Sequence, residues 1–322
     1  MIQRNRKGVI KLHFTGTIWR PPYEAGSLLL EVTAGCTHHK CKFCTLYDDL
    51  PFQFRMSPIP DIEADLLEAQ TAFHSPMGKL SAALQGLPLE RPYRRAYLVG
   101  ANPFVLPFGR LKTIAELIQR YFPACQTIGC FSRVTDVALK TNEELTALHN
   151  LGYDGITIGV ETGDGAALDF MNKGYQPEDI LTQCRRLDTA GIHYHFLYLC
   201  GVSGAGRGEA GAKASAALFN QLHPQIIGTS MLTVYPESEL YREIQAGNWQ
   251  EAGELEKLRE LRCLAEHLDI PVFFAALGAS NAIYIQGFLP ADKAAVLKRL
   301  DTICRTQSEE ALRHYRTHLP HL

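Results

Sequence analysis

Residues 31–50 read EVTAGCTHHKCKFCTLYDDL, and they put three of the chain's nine cysteines into nine consecutive positions. Cys36, Cys41 and Cys44 form a C-x4-C-x2-C arrangement with no fourth cysteine nearby. The apolar run SLLLEVT (27–33) just before them predicts a strand, so the trio falls at a strand's C-terminal end. Gly35 lets the chain bend sharply there. Clustered thiols outside a disulfide framework read as metal-binding or redox groups, and thiolates suit zinc or iron–sulfur centres. A structural zinc takes four protein ligands, so a zinc site would need His38, His39 or a remote residue as the fourth. A cubane cluster held by three cysteines leaves one iron without a protein ligand, open to a small molecule. A thiol redox pair, Cys41 with Cys44, is the third reading. Such a motif normally opens a helix, and here TLYDDLPF follows. The other six cysteines, Cys125, Cys130, Cys184, Cys200, Cys263 and Cys304, lack that spacing and read as small buried hydrophobes.

Outward from this stretch, the 322-residue chain is 46% apolar and 20% charged, an ordinary globular composition. Lys plus Arg number 32 against 34 acids, a net charge of −2, so no basic excess points to nucleic acid. The start, MIQRNRKGVIKLHF, lacks an apolar signal core, and no apolar run approaches a membrane span. A cytoplasmic location without membrane contact is expected, where disulfides are rare. Further strands are predicted at 95–100, 127–133, 155–161, 193–201 and 225–235, with amphipathic helices at 58–72, 109–121, 141–151, 165–172, 177–190 and 207–222. The repeat is roughly thirty residues, the size of a βαβ unit. Near-continuous apolar strands argue for a parallel sheet covered on both faces. The expected fold is α/β, a partial (βα)6 TIM-like barrel with its chemistry at the C-terminal strand ends. Residues 73–94 read as a surface insertion. Residues 14–245 are expected to form the barrel core. Residues 246–322 are expected to be a mostly helical extension on the same domain, with a seventh strand at IPVFFAAL (270–277) and a terminal helix at 291–306.

The cysteine trio after the first strand of a six-fold βα pattern resembles the radical S-adenosylmethionine (radical SAM) superfamily. Phe43, just before the last cysteine, matches the aromatic that in this family packs near the adenine of SAM. The departure is the first spacing, four residues between Cys36 and Cys41 where most members have three; it bears on the subfamily. YLVGANPFVL (97–106) resembles the glycine-rich turn whose backbone meets the SAM amino group, which would assign that role to Gly100, Ala101 and Asn102. IGVETGDGAALDFMNKGY (158–175) resembles the fourth-strand segment of the heme-biosynthesis-like and tRNA-thiotransferase-like branches. By that match Glu161 would hold ribose or amino groups and Lys173 the SAM carboxylate. LTVYPESELY (232–241) fits the sixth strand, with the backbone near Val234 and Tyr235 flanking adenine.

The resemblance covers about residues 14–245. It implies a [4Fe–4S] cluster on the three cysteines, SAM as cofactor, reductive SAM cleavage and hydrogen abstraction from a small organic or nucleotide-like substrate. It also implies an external one-electron donor of flavodoxin or ferredoxin type. The alternative is a structural zinc scaffold. Each cofactor residue has a plainer reading as well: Glu161 as a helix cap, Lys173 as a solvated charge near a helix end, Gly100 as turn punctuation. For the substrate, the candidates are Arg133 at the end of the third strand, His193 and His195 on one face of the fifth, and Asn281 in GASNAIYIQGFLPADK (278–293).

Overall fold

The structure is a computed structural model and describes residues 12–84 and 93–319. Along the chain, β1 (Leu28–Glu31) is followed by a short hairpin of β2 (Thr33–Gly35) and β3 (Phe54–Met56), then α1 (Ile59–His74) and α2 (Pro76–Leu84). Next come β4 (Arg95–Val99), α3 (Phe108–Tyr121), β5 (Thr127–Ser132), α4 (Val134–Ala138) and α5 (Asn142–Asn150). The middle of the chain supplies β6 (Ile156–Glu161), α6 (Gly165–Phe170), α7 (Pro177–Ala190), β7 (Tyr194–Cys200), α8 (Gly208–Phe219) and β8 (Ile226–Met231). The remainder is α9 (Glu239–Gln245), α10 (Glu254–His267), β9 (Val272–Ala276), β10 (Ile285–Leu289), α11 (Lys293–Thr306) and α12 (Glu309–Thr317).

The main sheet runs β1-β4-β5-β6-β7-β8-β9-β10. Every neighbouring pair is parallel except β9–β10, which is antiparallel. Sequential order in a parallel sheet with helical crossovers is the partial TIM-like barrel expected from the repeat. The seventh strand continues its parallel order. The helices follow local signals. Thr141 and Glu144 close a reciprocal capping box at α5, and α7 starts on Pro177 and stops at Gly191, whose φ is 77°. Tyr194, Phe196 and Tyr198 face out, where the rings of Phe196 and Tyr198 meet Phe219 of α8. Alternation turns His195, Leu197 and Leu199 inward.

Three boundaries differ from expectation. The first strand breaks at Val32, because Thr33–Gly35 leaves the barrel to pair with β3. The sixth strand ends at Met231, and residues 232–235 follow it as irregular chain, Leu232 N donating to Cys200 O at 2.9 Å. α12 follows the helix expected to be last. Of the expected surface insertion, 76–84 is helical and 85–92 lies outside the described residues. Among the described residues, no helix is long and apolar enough to cross a membrane.

The turn Pro22–Glu24 closes the N-terminal end of the barrel. Glu24 accepts from Arg95 Nη2 at 2.8 Å and Nε at 3.0 Å, and Arg95 also donates to Thr127 Oγ1 and the carbonyls of Asp154 and Gly155. Tyr23 meets Thr157 Oγ1 at 3.1 Å and stacks edge-on against His195, ring centroids 5.1 Å apart. The opposite end, where the strands' C-termini lie, carries the cysteine loop.

Candidate active site

The cysteine loop is pinned on every side by its own backbone. Gly35, at φ 77°, has no room for a Cβ beside the Gln53 carbonyl, and Cys36 N donates to that carbonyl at 2.9 Å. Lys42 N donates to Met171 O at 3.1 Å, Lys42 O accepts from Leu240 N at 2.7 Å, and Cys44 N donates to Cys41 O at 3.0 Å. The thiols are near enough to feel one another. Burial pushes Cys44 up to about 12, with Cys41 and Cys36 adding to it. Burial likewise raises Cys41, with Lys173 pulling the other way. A neutral thiol favoured by burial gains a thiolate ligand's role only against a compensating positive centre.

The two histidines of the loop are engaged elsewhere. His38 Nε2 contacts Asn172 O at 2.6 Å, and His39 Nε2 meets Asp48 Oδ1 at 2.7 Å. Among the described residues, no three His, Cys, Asp or Glu side chains gather closely enough to share a single metal ion. Nothing in this arrangement supports a zinc scaffold. A cubane makes no such demand, because each thiolate binds a different iron.

Glu161 ends β6 at φ 62°, beside a break in the β6–β7 register. A non-glycine residue held in that region stores strain and marks a site worth explaining. Its Oε1 stands 3.0 Å from Lys173 Nζ, and both side chains are largely buried. Burial is the largest single influence on Lys173 and opposes its charge, but Glu161, Tyr175 and Cys41 together overcome it and raise the ammonium's pKa well above the usual lysine value. That ammonium lies 5.7 Å from the Phe43 ring centroid and 5.5 Å from that of Tyr175. Arg133 also touches this turn. Its Nη2 donates to Lys173 O, its Nη1 donates to Thr135 Oγ1 at 2.9 Å, and its Nε has no partner among the described residues.

Gly100 sits at φ 130°, and a Cβ there would collide with Thr33 Oγ1 and its carbonyl. Thr33 Oγ1 is buried and finds no partner among the described residues. Ala101 follows, half-buried. Asn102 is fully buried. Its amide donates to Thr37 Oγ1 at 2.8 Å and to both Asp136 oxygens at 3.1 Å, so its side chain holds the cysteine loop and faces no open space.

A small apolar cluster, separate from the main core, joins Phe43, Met171, Val202, Leu232, Val234 and Leu240. It ties the cysteine loop to the turns after β6, β7 and β8. Tyr235 lies beside it, half-buried, its carbonyl accepting from Ser238 N and Oγ.

The candidates for substrate contact separate. Arg133 stands at the upper edge. Asn281, in the β9–β10 loop, donates to Thr229 O at 2.8 Å over β8, and its Oδ1 has no partner among the described residues. His193 and His195 stand at the N-terminal end of β7, opposite the cysteines. His193 pairs with Asp154 at 3.0 Å, and His195 is packed under Tyr23. The structure therefore does not bring either histidine together with the cysteine loop, and each already has a partner at its own end of the sheet. Sequence reading did not mark Thr33, Met171 or Leu232. An orphaned hydroxyl and a shared apolar contact leave no motif.

The model of the Radical SAM superfamily matches residues 30–209, more than half of the chain, and the chain belongs to that superfamily. It is a radical SAM enzyme, of a class whose cofactors are a [4Fe–4S] cluster and SAM. Among solved structures it is similar to archaeal Elp3 of Methanocaldococcus infernus, lacking its N-terminus. The TM-score is 0.54 at 14% identity over 86% of this chain and 63% of the other. It is also similar to the radical S-adenosylmethionine methyltransferase TsrM of Kitasatospora setae, solved with tryptophan and a SAM analogue. There the TM-score is 0.50 at 18% identity, over 70% of this chain and 40% of TsrM. The chain thus spans less than two thirds of either protein, and at these identities the likeness is one of fold. A search of curated protein sequences gave no match.

Proposed function

We propose that Cys36, Cys41 and Cys44 hold a [4Fe–4S] cluster and that SAM lies across the upper edge of the barrel to start radical chemistry on a small molecule. The observation that supports this reading is three cysteines on one nine-residue loop, with the buried Lys173–Glu161 pair behind Phe43 of the same loop. The residues fit the cofactors. Three thiolates leave one iron of a cubane open. Lys173 offers a fixed cation for a carboxylate, Gly100 opens its backbone for a close approach, and Thr33 Oγ1 stands ready for a polar partner. Phe43 and Val234 present apolar faces for adenine, and Glu161 sets the lysine's charge and place. Cluster and SAM together supply, when bound, reductive carbon–sulfur cleavage and a carbon radical able to take a hydrogen atom from substrate.

The partly exposed inward positions below this edge are small or apolar, and Tyr97, its hydroxyl unpartnered among the described residues, and Thr157 share that face. Phe131, Gly159, Leu197, Leu199, Gly228 and Ser230 are each partly exposed between buried outward neighbours. A small organic substrate with a mainly apolar surface suits them, and the protein's part is to orient it and exclude water. A soluble one-electron donor completes the reading.

Anaerobic reconstitution should load about four irons per chain. With dithionite and SAM the protein should release 5′-deoxyadenosine, and Ala at any one of Cys36, Cys41 or Cys44 should abolish it. Activity surviving such a substitution would remove the assignment.

A further inference from the structure

The segment after β8 is held from outside the barrel by two buried cations. Leu232 O accepts from Lys257 Nζ of α10 at 3.1 Å and from Arg316 Nη2 of α12 at 2.8 Å. Arg316 Nη2 also donates to Thr233 Oγ1 at 2.7 Å. Lys257 is fully buried and Arg316 nearly so. Their charges are met by Glu254, which takes both Arg316 Nη1 contacts (2.7 and 2.8 Å) and one from Lys257 (3.3 Å), and by Glu251, 2.8 Å from Lys257. α10 reaches the neighbouring turn as well. Glu260 accepts from Gly201 N and Tyr198 Oη, each at 2.7 Å, and a Cβ on Gly201 would press on the Lys257 stem.

Burying such a network gains little stability over an apolar filling, because desolvation consumes most of the Coulomb attraction. What it fixes is geometry. The Leu232 side chain joins the Phe43–Val234 cluster while its carbonyl takes both cations from the other side. The backbone at Val234 and Tyr235 is therefore placed by a helix about eighty residues further along, within the chain's last turns.

We infer that Arg316, assisted by Lys257, is a positioning residue for SAM, setting the 232–235 backbone against which adenine rests. This rests on the cofactor reading proposed above. It assigns the C-terminal helices a role in cofactor affinity that contact with SAM does not require.

The test compares R316Q, R316K and T233V with wild type and with R262Q, which breaks only the surface pairs of Arg262 with Asp301 and Glu266. In unliganded protein, hydrogen exchange at the Leu232 amide, which donates to Cys200 O at 2.9 Å, should speed up in R316Q and not in R262Q. After anaerobic reconstitution the iron content of R316Q should match wild type, while calorimetric titration with SAM shows a Kd at least tenfold higher. R316K should recover part of the affinity, and T233V, which removes a single bond and folds most safely, should weaken SAM about threefold. Wild type binding SAM with R316Q and T233V unchanged would overturn this role alone. An equal loss in R262Q would reduce Arg316 to general stability and overturn it too. Wild type that fails to bind SAM would overturn the function proposed above and this role with it.

Discussion

The ammonium of Lys173 stands 3.0 Å from the Glu161 carboxylate, and the two are buried together at the end of β6. Removing one partner leaves the other charge uncompensated, at a cost of about 3–5 kcal/mol. K173M and E161Q should each lower the denaturant midpoint sharply. The double variant should cost clearly less than the sum of the two, since no lone charge remains. Additive losses in urea unfolding would show that the pair does not act as a unit.

Gly100 predicts a different failure. G100A must hold an alanine at φ 130° and push a methyl into Thr33. Strain of this kind costs about 1–3 kcal/mol before the clash is counted. The displaced Thr33 adjoins the cysteine loop, so the variant should fold with a lowered melting temperature and load less iron than wild type. Iron content equal to wild type at unchanged stability would contradict the close approach.

His195 should make the protein acid-sensitive. Burial, and then the neighbouring Arg95, lower its pKa from 6.5 to about 4, although Glu24, Gln225 and Asp154 pull upward. Between these values the unfolded chain binds a proton that the folded one refuses. Stability is therefore full above 6.5 and drains as pH falls toward about 4. Urea midpoints at pH 7 and pH 5 should differ less in H195Q than in wild type.

Glu260 predicts the opposite slope. Burial raises its pKa from 4.5 to about 8, against the bonds from Tyr198 and Gly201 that favour the ionised form. The folded state there holds a proton that the unfolded chain has lost, so stability is full below 4.5 and is lost as pH rises through about 8. E260Q should flatten the decline between about pH 5 and pH 8. An unaltered profile would mean the carboxyl is already ionised in the fold.

The barrel was legible because its signals are local. Apolar strands, capped helices and a repeat near thirty residues need no distant partner to be read. The cysteine spacing is equally local, and with the βα repeat it led to the family whose model matches residues 30–209. What escaped depends on remote pairing. His195 and Leu197 share a period-two face, yet only the packing of Tyr23 shows that His195 stands at the closed end. Asn102 lies in the expected glycine turn, but its amide is committed to Thr37 and Asp136. Arg316 gives no sign at all, since its meaning lies in a carbonyl 84 residues earlier.

The Glu24–Arg95 contact acts as a rivet at the base of the sheet. One guanidinium joins the Pro22–Glu24 turn to Thr127 and to the carbonyls of Asp154 and Gly155, so R95M would loosen three neighbouring segments at once.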